Sequence, residues 1–388
     1  MRSRLNVLMF PAWYPSPTRP FLATFHREHA RATALYHELV VLDAPREHTE
    51  GVRGRQVEDV MEDGIRIVRL RYGRAPVPRT TMARYIGAVI ATYRGLVRSG
   101  FRPDVIHGHL YFIALPAVIL GRLFRVPVVI TENAECFATG LSRADRLEAR
   151  FALGMADRVL PVSRSLRVLM ERQGVRARYE EIPNAVDTKV FYPDAVAGAR
   201  GDGPYRLLTV ARMMPVKGVA NLLRSLAVLR RVRSDVTLDI VGDGAHRAEY
   251  EALAGSLGLG RDVRFLGFQP REAVAELMRA AHGFVLASLT ENCPCVLLEA
   301  MASGLPIVAT DVGGVREFVP EHMGAFAPRE DPEALAGTIA AMLARLPSFD
   351  PAEMASYARG RFSLEAVGAQ VDRVYRAVLS ERHSLRSA

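Results

Sequence analysis

At 388 residues and 49% hydrophobic content, the chain is longer than a single core usually grows and apolar enough to fill two. It has no uncharged apolar run of the roughly eighteen residues that a membrane-spanning helix needs. Three cysteines, Cys136, Cys293 and Cys295, lack a second pair in zinc spacing and fit a reducing cytoplasm better than a disulfide framework.

The net charge of +9 is unevenly spread. Residues 1–200 hold 30 Lys+Arg against 20 Asp+Glu, whereas residues 201–388 hold 21 against 22. Arginines 53, 55, 66, 69, 71, 74 and 79 lead into a helix-like stretch from Thr81 to Arg98. A basic, partly apolar half of this kind attracts nucleic acid, an anionic membrane or an anionic substrate. Arginine bias is the plain alternative, since lysine occurs only at 189 and 217.

In chain order, residues 5–10 predict a buried strand rather than a signal peptide, because they run into Pro11 and Pro15 without a small-residue cleavage site. A Pro-rich loop and a helix over 21–37 precede strands at 38–43 and 64–70. A helix near 85–97 leads to a strand that ends in His107 and His109. Helix 111–124, strand 126–132, helix 143–155, strand 158–162, helix 163–173 and an extended segment at 180–184 complete the first half. Strands alternating with helices specify a parallel, helix-covered sheet.

The stretch 193–204, rich in Gly, Pro and small residues, predicts a linker. The alternation then resumes, with strands at 206–210, 236–241, 263–266, 283–288 and 306–309. Helices are expected at 218–232, 246–257, 271–281, from Asn292 or Cys293 to Gly304, and at 332–345. A last helix over about 363–380 exceeds what the second sheet needs. The expectation is α/β: two doubly wound Rossmann-like domains facing across a cleft. Their bounds are 1–192 and 205–362, with residues 363–388 packing back on the first.

Three segments carry chemistry on that scaffold. Between Thr209 and Gly218 a strand gives way to a helix, and Arg212 and Lys217 flank the turn. Two cations beside a helix N-terminus suit a diphosphate, because unpaired amides and the helix dipole add to side-chain charge. The Gly242-Asp243-Gly244 turn has two glycines of a dinucleotide fingerprint but lacks the third, which argues against NAD chemistry. From Ala287 to Gly304 an apolar strand passes through a polar turn bearing Glu291 into a helix bearing Glu299. Asn292 is a competent N-cap there, Pro294 supplies no amide, and Cys293 and Cys295 read as small packing residues.

Taken together, Lys217-Gly-Val, Gly242-Asp-Gly, Phe265-Leu-Gly, the Glu291 to Glu299 spacing followed by Ala-Met-Ala-Ser-Gly-Leu-Pro, and the run from Ala309 to Glu317 resemble retaining nucleotide-sugar glycosyltransferases of GT-B architecture. The likeness is to glycosyltransferase family four. Pro103 to His109, Ala156 to Ser163 and Ile182 to Phe191 extend it over the first half. The resemblance implies an acceptor-binding N-terminal domain and a nucleotide-sugar-binding C-terminal one. It also implies that Arg212 and Lys217 hold the donor diphosphate and that Glu291 lies against the donor sugar. Glu299 would read the ribose, the backbone at Asn292, Cys293, Cys295 and Val296 would reach sugar and phosphate, and Gly267 and Phe268 would meet the base. Ala23, His109 and Asn133 fall on the acceptor or phosphate side. Ala23 stands where glycine is common, and Asn133 where histidine often follows a Thr-Glu pair; Ala185 and Ala211 also replace usual glycines. No metal or cofactor is implied, and the donor is a UDP- or GDP-sugar. The expected partners are that donor, a hydroxyl acceptor and an anionic membrane touched through the basic half, placing the protein in the cytoplasm or at the inner face of the cell membrane. A small soluble acceptor is the alternative within enzymes, and a basic nucleic-acid-binding protein the alternative outside them.

Overall fold

The fold was described from a computed structural model, over residues 3–16, 19, 23–73, 81–194 and 204–387. Two compact units emerge: residues 1–185 with 364–388, and residues 186–363. The division therefore falls ahead of the 193–204 stretch, of which residues 195–203 lie outside the described residues.

In the first unit the elements are β1 (Asn6–Pro11), α1 (Thr24–Ala34), β2 (Glu38–Asp43), β3 (Arg55–Glu62), β4 (Ile65–Tyr72), α2 (Thr81–Arg98), β5 (Val105–His109), α3 (Tyr111–Phe124), β6 (Val128–Glu132), α4 (Cys136–Thr139), α5 (Arg143–Gly154), β7 (Arg158–Pro161) and α6 (Arg164–Arg172). The sheet order is β3-β4-β2-β1-β5-β6-β7, parallel except for β3 against β4. Order therefore reverses between β1 and β5, the point where doubly wound sheets open a crevice at their carboxyl ends.

The second unit contains β8 (Tyr205–Val210), α7 (Val219–Leu229), β9 (Val236–Val241), α8 (Arg247–Ser256), β10 (Val263–Gly267), α9 (Arg271–Ala280), β11 (Gly283–Leu286), α10 (Cys295–Ala302), β12 (Ile307–Thr310), α11 (Val315–Phe318), β13 (Gly324–Ala327), α12 (Pro332–Ala344) and α13 (Pro351–Phe362). Its order is β10-β9-β8-β11-β12-β13, all parallel, and it reverses between β8 and β11. Leu207, Leu238, Val285 and Val308 on these strands pack with Leu222 and Leu226 of α7 and Ile339 of α12. Fully burying such a side chain stabilises by about 1.5–3 kcal/mol.

The final helix, α14 (Leu364–Ser387), belongs to the first unit. Val367, Val371, Val374 and Val378 recur at helical spacing and are buried against strand residues such as Val7, Val105 and Val129. Glu381 bonds Arg178 at 2.9 Å and Arg158 at 2.5 Å, and Arg382 clasps Asp157 at 2.8 and 2.9 Å, fixing the helix beside β7.

The structure departs from the expected elements at several places, adding the short α4 and α11 and the edge strand β13 to them. The extended segment at 180–184 is no strand; only an isolated bridge joins Val159 to Tyr179, and Pro183 has no N–H to continue a ladder. β3 was not expected, because an edge strand with nearly every side chain toward solvent shows no apolar alternation. Helix α13 was missed as well, although Asp350 caps it through the amides of Ala352 and Glu353 and Pro351 opens it.

Candidate active site

The β8/β11 reversal brings together the loops that follow those two strands. Lys217 ends a short 3-10 turn (Pro215–Lys217), and Gly218 then begins α7 in the left-handed region at φ +66°. A Cβ on Gly218 would lie 1.9 Å from the Ala287 carbonyl oxygen, so only glycine lets the two loops approach so closely. The Leu289 amide donates to the Val216 carbonyl at 2.8 Å and joins them further. The β12–α11 loop closes on the same place: a Cβ on Gly313 would meet the Glu291 carbonyl oxygen at 1.7 Å, and the Gly314 amide donates to that oxygen at 3.2 Å.

This stitching sets the Glu291 carboxylate opposite Lys217. The Lys217 Nζ donates to Glu291 Oε1 at 2.9 Å, and the Ser288 hydroxyl donates to the same oxygen at 2.7 Å. Both charged side chains are largely buried, at 13% and 7% exposure. Lysine carries three donors and Glu291 accepts one of them. Arg212 lies exposed at the start of the same loop, its carbonyl accepting from the Met214 amide. The amides of the first turn of α7 and the helix dipole add positive potential beside these cations.

One expectation needs correcting. The helix carrying Glu299 begins at Cys295 with Pro294 at its cap, not at Asn292 or Cys293 with Asn292 as the cap. Pro294 disfavours helical geometry in the residue before it, so Cys293 cannot enter the helix. Asn292 and Cys293 are instead buried in the turn, with Cys295 and Val296 half-buried in the first turn of α10. Glu299 is half-buried on that helix, and its carbonyl accepts from the Ser303 amide and hydroxyl. At the end of β10, Gly267 is buried at φ +66° and accepts from the Gly242 amide, while Phe268 is 55% exposed.

The remaining expected residues belong to the first unit: Ala23 on the β1–α1 connection, His109 at the end of β5 and Asn133 directly after β6. Ala23 caps α1 in the left-handed region, φ 50° and ψ 46°, where an L-residue costs about 1–2 kcal/mol relative to glycine. His109, at the end of β5, is buried among the rings of His26, His29 and His107 at centroid distances of 5.2, 5.3 and 4.4 Å. Desolvation lowers all four: His26 and His107 to about 3, His29 to about 4, and His109 well below the usual value. Neutral imidazoles then suit their partners, since His107 bonds Tyr375 Oη at 2.6 Å and Thr131 Oγ1 at 2.8 Å, and His29 bonds Asn184 at 3.2 Å. Among the described residues, no group of three His, Cys, Asp or Glu is arranged to hold a metal ion.

Asn133 owes its position to its neighbour Glu132, a role not anticipated. The buried Glu132 carboxylate accepts from the amides of Tyr111 at 2.7 Å, Asn133 at 2.9 Å and Ala134 at 2.7 Å. It thereby caps α3, whose own cap residue Leu110 supplies no side-chain bond, and folds the Asn133 backbone around itself. Burial pushes the acid up to about 7 against those three donors. Glu132→Gln turns one acceptor oxygen into a donor facing an N–H, so a loss of about 1–3 kcal/mol is expected in denaturant unfolding. Unchanged stability would show that the three amides do not need the carboxylate. The sequence signal was a carboxylate at the end of a fully buried strand, where a charge needs a partner.

Residues 195–361 match the family described as Glycosyl transferases group 1, and residues 20–185 match the Glycosyl transferase 4-like domain. A D-inositol 3-phosphate glycosyltransferase of Frankia alni is 32% identical, over 71% of this chain and 75% of its own. The chain belongs to the group 1 glycosyltransferases. A phosphatidylinositol N-acetylglucosaminyltransferase component of Arabidopsis thaliana is 28% identical over 90% of this chain and 77% of its own. The solved structure of Anabaena Alr3699/HepE in complex with UDP superposes with a TM-score of 0.75 at 18% identity, covering 96% of this chain and 100% of that one. This glycosyltransferase therefore has the GT-B fold, with two Rossmann-like domains, as its sequence predicts.

Proposed function

We propose that this glycosyltransferase moves a hexose-type unit, with retention, from a UDP- or GDP-sugar to a hydroxyl acceptor in surface polysaccharide or glycolipid synthesis. The observation that carries the reading is the buried Lys217–Glu291 pair beside the N-terminus of α7, at the carboxyl end of a doubly wound sheet. Arg212, Lys217 and the helix amides face the donor diphosphate. Glu291 lies against the sugar hydroxyls, Glu299 takes the ribose, and the backbone at Gly267 and Phe268 meets the base. Asn292, Cys293, Cys295 and Val296 line the turn between sugar and phosphate.

In the reaction the bond from the anomeric carbon to the diphosphate oxygen breaks, and a bond to the acceptor oxygen forms on the same face. The acceptor proton passes to the departing diphosphate, so no protein nucleophile takes part. The protein's contribution is charge held ready for the leaving group, which needs no reorganisation as the bond breaks. Arg212 and Lys217 supply that charge without a metal ion.

UDP or GDP is expected to raise the melting temperature of the wild-type protein in a saturable way, because a ligand that binds only the folded state stabilises it by mass action. Absence of a shift with every common nucleoside diphosphate and its sugars would remove the donor assignment. A second reading, transfer to a small soluble acceptor, draws on the D-inositol 3-phosphate glycosyltransferase relative. Partition of radiolabelled product into organic solvent or water separates the two.

A further inference from the structure

We infer that α5 is a membrane-docking helix that lies in the surface of an anionic bilayer. Successive residues of a helix are offset by about 100°, which places Leu147, Phe151 and Gly154 on one flank of an arc and Arg143, Arg146 and Arg150 on the adjoining flank. All six are exposed, Leu147 to 68% and Phe151 to 57%. Ala149, Ala152 and Leu153 form the opposite, buried face, by which α5 packs on α3. Large apolar side chains at i and i+4 in water, beside a parallel strip of cations, mark an interaction surface rather than scattered exposure.

The acids of the helix do not oppose this charge. Glu148 turns off the exposed arc and is clasped by Arg46 through two bonds of 2.8 and 3.0 Å. Asp145 accepts from the Ser142 hydroxyl at 2.5 Å within the cap of the helix. Among the described residues no ion pair involves Arg143, Arg146 or Arg150. The last turn of the neighbouring α3 carries Leu123, 59% exposed, beside exposed Arg122.

Charge complementarity selects the occupant. A nucleic-acid backbone satisfies the arginines but leaves Leu147 and Phe151 in contact with solvent or phosphate. An anionic lipid surface satisfies both flanks at once, with acyl chains beneath the apolar flank and headgroups around the arginines. No helix among the described residues is long and apolar enough to cross a membrane.

The inference stands apart from the donor assignment, and the test keeps them separate. Full-length protein is sedimented with phosphatidylcholine vesicles and with vesicles containing phosphatidylglycerol, at low and high salt, with a DNA duplex as a competing probe. The wild type is expected to bind only the anionic vesicles, and less at high salt because exposed charges are screened. The Leu147→Asp/Phe151→Asp variant is expected to bind at least about tenfold more weakly. Arg143→Gln/Arg150→Gln is expected to weaken binding and flatten its salt dependence. Both variants should keep the wild-type melting temperature and its rise with nucleoside diphosphate, since the positions are exposed and lie outside the donor site. Absence of wild-type binding to anionic vesicles, unaltered binding by the aspartate variant, or a preference for the duplex would each overturn the inference.

Discussion

Replacing Lys217 by alanine is expected to lower kcat/KM for sugar transfer by about two to three orders of magnitude, the usual loss when one preorganised charge-stabilising group is removed. Glu291→Ala should abolish transfer. The two residues are bonded at 2.9 Å and largely buried, so they act as a unit and their losses will not add. Stability should follow a different pattern. Either single change leaves a buried charge without its counter-ion, at about 3–5 kcal/mol, whereas removing both takes that penalty away. The Lys217→Ala/Glu291→Ala double variant is therefore expected to unfold nearer the wild type than either single variant and to remain inactive. Measuring denaturant midpoints and initial rates on the same four proteins separates a folding defect from a catalytic one. Wild-type kcat/KM in Lys217→Ala would take this residue away from the leaving group.

How much of this was legible in the sequence depended on how each feature is encoded. The strands flanking both reversal points are short buried segments with an apolar centre or start in parallel sheets, and their positions agree with the expected ones to within a few residues. Arg212, Lys217 and Glu291 stand out in the sequence because they fall between such a strand and a helix, where side chains of that chemistry have no packing role. Their mutual arrangement was hidden. That Lys217 reaches Glu291 follows from Gly218 and Gly313 letting three loops close on one another, contacts between segments far apart in the chain. The start of α10 was misread because Asn292 is a good cap in isolation, and the restriction that Pro294 places on Cys293 outweighs it. The histidines at 26, 29, 107 and 109 come from a helix and a strand nearly eighty residues apart, and no local pattern announces that they share a core.

That core makes the second large effect a pH effect. His26, His29, His107 and His109 are fully or almost fully buried and remain neutral in the folded state, with values of about 3, 4 and 3 for the first three and His109 well below the ordinary value. In the unfolded chain each returns to the ordinary 6.5 and gains a proton as pH falls. Their folded pKa values are depressed, so the stability they permit is complete above 6.5 and is lost as pH drops from there toward 4. Each proton taken up only on unfolding contributes a slope of about 1.4 kcal/mol per pH unit. Glu132 works in the opposite sense. Its folded value of about 7 lies above the 4.5 of a free side chain, so its folded form gains protons first, and stability from it rises as pH falls through that interval. The four histidines set against Glu132 leave a slope near three protons, about 4 kcal/mol per pH unit between roughly 6 and 5, and His37, also lowered by burial, adds to it in the same sense. A domain holding about 5–15 kcal/mol in total exhausts that within a few units. Guanidinium unfolding at pH 7.5, 6.5, 5.5 and 4.5 should show the midpoint falling steeply below 6.5. His29→Gln, which keeps a hydrogen bond available to Asn184, should reduce the slope by about one proton's worth. A flat stability between pH 7 and 5 would mean that these imidazoles find protons or water in the folded core.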